Sequence, residues 1–421
     1  PQPTAFDQLP PPEASSRLQT PPPSCLRATI VMGSGQEELA IVFKRTYIFE
    51  HRQIPQPTDE QPPLVLDFIP YQSVGANAFA SFKDMPEVVG YKTGTDLVIR
   101  GSARADAPTR QMRVAVELNG RSIQQADVLG SRFCEYLKGE LRFSLPEPFE
   151  SMPLRYENAY GGRDLLCETE FLEQLYHAVP GDDLRRIRPA AEEIFSSGSP
   201  LMYPRNRFGK GYVLEDRRDL VEGRELPNLE RPEDRLAPET IIVGNPLNWV
   251  KQPLPIGFDY LEPAAFPRCA MMGLPPATLK NPGPIQEVEC GYIPGDYSRG
   301  NIFTCAKESV PKLIHPQAGH CASLGLWQPF FKGRETIILK GMDPQYPTLE
   351  VNLPGETPLF SVPGLQRHPV DLDGQLYLVH IDTDRRLLTL VWTGRTTMPS
   401  TLQRFDLLEI ERDLKLNLRK E

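Results

Sequence analysis

Proline sets the first limit on this chain. It accounts for 45 of the 421 residues, about twice the usual share. Its ring removes a backbone donor, clashes inside helices and is kept out of central strands. The sequence therefore predicts many short strands, long ordered loops and few long helices. A hydrophobic fraction of 40% is enough for a sizeable core. The length fits two or three domains.

The pattern divides the chain into regions. Residues 1–26 form a proline-rich extended arm. Residues 27–157 read as an N-terminal β region. In it, "RATIVMG" and "ELAIVFKRTYIFE" flank a "GSGQE" turn and predict a hairpin. "PLVLDFIP" is a further strand, and "GTDLVIRGSARA" with "QMRVAVELNGRSI" a further pair. Val114, Val116 and Leu118 alternate with other residues, the period of a half-buried strand. Residues 158–285 are a loop-rich middle region with a helical insertion at 164–198. Phe171, Leu172 and Leu175 follow helical spacing there, and a second short helix is expected after Pro189. Residues 286–421 form a C-terminal β region, with strands in "ETIILKGM", "TLEVNLPG", "QLYLVHIDT" and "LLTLVWTGR". "RFDLLEIERDLKL" fits a strand or a helix. The fold class expected is mainly β: antiparallel sandwich or barrel-like sheets, long ordered loops and a small helical insertion.

Charge and cysteine use narrow the function. The net charge is -9 and the pI about 5.4, which argues against a nucleic-acid partner. No apolar run reaches membrane-span length, so no membrane partner is expected. The 7 cysteines are scattered and form no CxxC. That pattern fits reduced thiols in the cytoplasm.

No catalytic arrangement emerges from spacing. His315, His320 and Cys321, with Cys290 and Cys305 upstream, lack paired metal-ligand spacing. They read as separate side chains, with a structural metal site as the weaker alternative. Serines beside glycines lack the G-x-S-x-G context. Cys321 directly follows His320, but a dyad needs side chains that converge in space. "NRFGKGYV" departs from a P-loop. Carboxylates such as Glu157, Asp164, Glu168, Glu170, Asp216, Asp219 and Glu222 read as a solvated acidic face. A carboxylate-based hydrolase is the alternative they leave open. No cofactor is expected.

"RYENAYGG", residues 155–162, reads as a corner. Gly161 and Gly162 allow backbone angles closed to other residues. Tyr156 and Tyr160 are expected on either side of the bend. Arg155 and Glu157 are expected to pair or to bind loop carbonyls and amides. Tyr203, Arg205, Phe208 and Tyr212, and then Trp249, Phe258 and Tyr260, are the aromatic and arginine residues of the loops. They are either interface anchors or inward packing. Inward packing is the reading preferred for the motif residues.

Four segments in order, "MPLRYENAYGGRD", "NRFGKGY", "LPNLERP" and "PIGFDYLEPAAFPR", resemble the domain of unknown function 2169 family of bacteria. The flanks "VFKRTYIF", "KTGTDLVIRGSARA", "GMDPQYPTLEVNLPG" and "LLTLVWTGR" resemble its outer strands. The resemblance spans about residues 27–395. The motif positions it marks, structural or cargo-binding, are Tyr156, Glu157, Tyr160, Gly161 and Gly162 in the corner. In the second segment they are Asn206, Gly209, Gly211 and Tyr212. Leu226, Pro227 and Asn228 follow, then Gly257, Phe258 and Arg268. Arg207 stands where the family has proline, and "AGHCASLG" replaces an N-A-A-P-like stretch. The resemblance implies an adaptor or chaperone that stays in the cytoplasm and has no catalytic role. It would bind a secreted effector toxin of a type VI secretion system, or its PAAR-type tip domain, and help load it onto the spike protein.

Overall fold

A computed structural model describes residues 23–32, 37–72, 80–89, 92–178, 201–244, 246–262, 265, 320–363, 369–397 and 407–420. The two strands of the expected hairpin form and pair. Leu26–Met32 and Glu37–Ile48 pair antiparallel, with Leu26 opposite Phe43. On its other edge Glu37–Ile48 pairs with Leu387–Thr397, from Glu38 opposite Thr397 to Ile48 opposite Leu387. The two β regions of the sequence thus share one sheet. Its order is Leu26–Met32, Glu37–Ile48, Leu387–Thr397, Gln375–Asp382, Thr95–Arg100 and Trp327–Gln328. Gln375–Asp382 and Thr95–Arg100 are the parallel pair in it. Its middle strands are buried on both faces and carry apolar runs through Leu39, Ile41, Val42, Leu97, Val98, Ile99, Leu390, Val391 and Trp392.

A second sheet runs in the order Leu229–Glu230, Arg121–Leu129, Gln111–Leu118, Thr336–Lys340, Thr348–Asn352. Here the period is two. Val114 and Val116, Ile337 and Leu339, and Leu349 and Val351 are buried, while residues between them are not. Leu118 is half-buried and packs at the margin of the core. A third sheet places Glu356–Val362 between Val370–Asp373 and Lys415–Lys420. One apolar cluster joins all three sheets through residues such as Val42, Ile99 and Trp392, Val116 and Leu339, and Phe360 and Leu416. The architecture is mainly β with several antiparallel sheets. Among the described residues no sheet closes into a barrel. No described helix is long and apolar enough to cross a membrane.

Two local expectations need correction, and one open reading is resolved. "GTDLVIRGSARA" and "QMRVAVELNGRSI" do not pair with each other. Thr95–Arg100 runs beside Gln375–Asp382, while Ser102–Thr109 pairs with Phe149–Pro153 and Gln111–Leu118 with Arg121–Leu129. Alternation identified these strands but carried no information on partners. "PLVLDFIP" is a strap, with only Ile69–Pro70 bridging to Phe82–Asp84. Pro62, Pro63 and Pro70 cannot donate to a ladder. "RFDLLEIERDLKL" contains both alternatives, the helix Leu407–Asp413 and the start of the strand Lys415–Lys420. In the insertion, Leu165–Ala178 is a helix. The second helix expected after Pro189 lies outside the described residues.

A buried ion pair fixes the strap. Lys44 Nζ lies 2.7 Å from Glu87 Oε1 and donates to the Pro63 carbonyl at 3.0 Å. Glu87 Oε2 accepts the Val65 N–H at 2.7 Å. Burial pushes the Glu87 carboxyl upward, against the pull of Lys44. Removing one partner leaves a buried charge alone, which costs about 3–5 kcal/mol. Lys44→Ala is therefore expected to lower the urea midpoint strongly and to expose the 61–70 strap to protease. Glu87→Gln with Lys44→Met restores neutrality and should recover much of the loss.

Candidate functional site

The corner leaves the strand Phe149–Pro153, makes a single turn at Tyr156–Asn158, and pairs Tyr160–Gly161 in parallel with Lys210–Gly211. Gly161 has φ +147° and Gly162 φ +104°. Only glycine takes such angles without strain. A Cβ at Gly162 would also strike the Gly209 carbonyl. The close approach is used. The Gly162 N–H donates to the Asn206 carbonyl at 2.8 Å, and the Tyr203 N–H donates to the Gly162 carbonyl at 3.0 Å.

The Asn206 side chain closes the corner. Its amide nitrogen donates to the Tyr156 carbonyl at 2.8 Å and the Tyr160 carbonyl at 3.0 Å. Its amide oxygen accepts the Phe208 N–H at 3.2 Å. The two tyrosines then diverge. Tyr156 belongs to the large core between the sheets. Tyr160 belongs to a second core with Tyr203, Tyr212, Leu226 and Trp249. They do pack on opposite sides of the bend, as the sequence suggests.

The remaining motif positions also serve this junction. The Asn228 N–H donates to the Asn158 carbonyl at 2.8 Å, and its side chain donates to the Leu129 carbonyl at 2.9 Å. Leu226 and Pro227 are buried. A Cβ at Gly257 would lie 2.7 Å from the Tyr156 ring. The Gly257 carbonyl accepts from Gln124 at 2.7 Å. Phe258 is buried, and its carbonyl takes the Ile99 N–H at 2.7 Å. Arg268 lies outside the described residues.

The polar ends of the corner grip Ser81 and Tyr71. Glu157 accepts the Ser81 N–H at 2.7 Å and its hydroxyl at 2.8 Å. The Arg155 guanidinium lies 3.5 Å from the centre of the Tyr71 ring. Tyr71 in turn donates to Asp259 at 2.6 Å. The loop aromatics point inward. Tyr160 donates to Gln252 at 2.8 Å, Tyr203 to the Pro253 carbonyl at 2.9 Å, and Arg205 covers Trp249. Burial raises the Tyr160 and Tyr212 phenols. Five acidic residues of the middle region are taken up as well. Glu168 pairs with Arg163, Glu170 and Asp219 with Arg217, Glu222 with Arg218, and Asp164 with Arg224.

A second polar cluster was not legible in the sequence. Asp96 is fully buried at the start of the strand Thr95–Arg100. Its Oδ1 receives His320 Nδ1 at 2.7 Å. Its Oδ2 receives Lys92 Nζ at 2.6 Å, the Cys321 N–H at 2.9 Å and the Cys321 thiol at 3.2 Å. The far imidazole nitrogen, Nε2, lies 3.1 Å from the Thr93 hydroxyl. Burial alone would raise the Asp96 carboxyl. Lys92 and His320 override it and hold the group well below the usual carboxylate range. Asp96 and His320 are 224 positions apart, which explains why spacing missed them. The prediction of separate side chains is thus corrected for His320 and Cys321, which converge on one carboxylate. Cys290, Cys305 and His315 lie outside the described residues.

Two outcomes follow. Asn206→Ala removes a partner from the Tyr160 carbonyl and from the Phe208 N–H, while the Tyr156 carbonyl keeps the Ala159 N–H, and is expected to cost about 2–4 kcal/mol by chemical denaturation. For Asp96, the unfolded chain binds the proton first as pH falls. Its stabilisation is therefore complete above the ordinary carboxylate range near ~3.9 and fades as pH drops toward its lowered value. The stability gap between the native protein and Asp96→Asn should be widest at neutral pH and should narrow with acidification.

No curated protein and no solved structure matches this chain. One family profile does, described as an uncharacterized protein conserved in bacteria, domain of unknown function 2169, over residues 34–393. That span holds the corner, its Asn206 clasp and the strands on which they rest, and the chain belongs to this bacterial family.

Proposed function

We propose that this protein is a cytoplasmic adaptor that holds a secreted effector toxin of a type VI secretion system, or its PAAR-type tip domain, and delivers it to the spike. The reading rests first on the ordered motif set. One structural observation carries it further. The described motif residues are spent on internal contacts, while the strap keeps large apolar side chains in water. Leu66 and Phe68 are each 49% exposed and Ile69 is 44% exposed. Phe68 leans on Phe82 at 5.4 Å, and Phe82 meets Phe208 edge-on at 6.2 Å. The row is therefore anchored on the loop that carries Asn206.

Grouped apolar side chains on a fixed backbone suit a protein partner. The Lys44–Glu87 pair holds the strap before any partner arrives, which cuts the ordering cost of binding. The paired acidic side chains of the middle region support the binding role over a carboxylate-based hydrolase.

The test is co-expression with a type VI effector toxin that carries a PAAR-type domain. A stable complex and greater toxin solubility are expected. Leu66→Asp with Phe68→Asp should weaken capture at least about tenfold, near 1.4 kcal/mol, with little change in melting temperature. Equal secretion of the toxin from a strain lacking this protein would refute the adaptor role.

A further inference from the structure

The Thr93, His320 and Asp96 side chains stand in the order hydroxyl, imidazole, carboxylate. An ionised Asp96 can only accept, so His320 Nδ1 must carry the proton of the 2.7 Å contact. In the neutral ring Nε2 is then an acceptor, and it faces the Thr93 hydroxyl at 3.1 Å. This is the tautomer in which an imidazole removes a hydroxyl proton.

The imidazole is held from several sides. His320 is 2% exposed and stacks on Trp327 with centroids 4.7 Å apart and planes 21° from parallel. The Trp327 indole is fixed by donating to the Ala322 carbonyl at 2.7 Å. Lys92 and Cys321 satisfy the other carboxylate oxygen, so Asp96 cannot rotate away. Lys92 also offsets the carboxylate charge while the imidazole is neutral. A Cβ at Gly94 would strike the Gln328 carbonyl, so the turn that carries Thr93 sits hard against Trp327–Gln328. Asp96 and His320 are buried, yet Thr93 is exposed to solvent.

We propose that Thr93 is an activated nucleophile toward carboxylic esters, with His320 as general base and Asp96 as the group that orients it. This activity goes beyond the adaptor role and does not depend on it. Thr93 Oγ attacks the ester carbonyl carbon, and its proton passes to His320 Nε2. The carbon–oxygen bond to the alcohol breaks, and the alcohol leaves with the proton from Nε2. Water, deprotonated by the same nitrogen, then attacks the acyl-threonine, and the carboxylic acid and free Thr93 hydroxyl return.

The experiment uses the full chain with p-nitrophenyl acetate, followed by an aryl fluorophosphonate and peptide mapping. Ester cleavage and a phosphonyl adduct on the Thr93 peptide are expected. Thr93→Ala should lose both, with the rate falling about 100-fold. Thr93→Ser should keep both. His320→Gln should suppress the adduct, and its near-ultraviolet circular dichroism shows whether it still folds. An unlabelled native protein, or an adduct and rate unchanged in Thr93→Ala, would overturn the proposal whatever His320→Gln does. Toxin capture by Thr93→Ala should be unaltered, which separates this activity from the adaptor function.

Discussion

The clasp of Asn206 on the Tyr156 and Tyr160 carbonyls is the contact on which the arrangement of this protein depends. It spans the point where the chain leaves the sheets for the loop-rich middle. On one side is the core that joins the three sheets, and on the other is the core of Tyr160, Tyr203, Tyr212 and Trp249. Loop backbone buried between two such cores has many polar groups to satisfy. One asparagine side chain meets three of them, and the paired glycines let its own carbonyl meet a fourth. Two apolar bodies are thereby held by a polar seam.

The division of labour extends outward. Apolar packing fixes the sheets, and charged side chains fix the irregular segments against them. Lys44 and Glu87 tie down the strap, Arg155 and Glu157 hold Tyr71 and Ser81, and Lys92 and Asp96 hold the turn at Thr93. Such pairs add little net stability but are costly to break. They suit a protein rich in proline, whose loops cannot be secured by regular backbone ladders. The strap so held leaves Leu66, Phe68 and Ile69 exposed.

Much of the fold was legible because its cause is local. Alternation in "VAVEL" and continuous apolar runs in "LAIVF" and "LLTLVW" follow directly from one-sided and two-sided burial. The diagnostic value of "RYENAYGG" was also local, since its glycines encode backbone angles. What escaped was long-range. The sequence could not pair Glu37–Ile48 with Leu387–Thr397, nor bring His320 to Asp96. The strap misled for a different reason. Val65, Leu66, Phe68 and Ile69 favour a strand by composition, but the prolines around them remove the donors that a ladder needs. The aromatic loop residues gave no sign of their direction. Their inward packing follows from Gln252, Pro253 and Asn206, which supply buried hydrogen-bond partners.

Native-state hydrogen exchange tests the central claim most directly. If the corner joins the two cores as one cooperative seam, the amides of Gly162, Lys210, Tyr212 and Asn228 should exchange only with global unfolding. They should then show the same opening free energy and denaturant dependence as amides in Leu387–Thr397. Exchange of the corner amides through a local opening, while that central strand stays protected, would contradict the account.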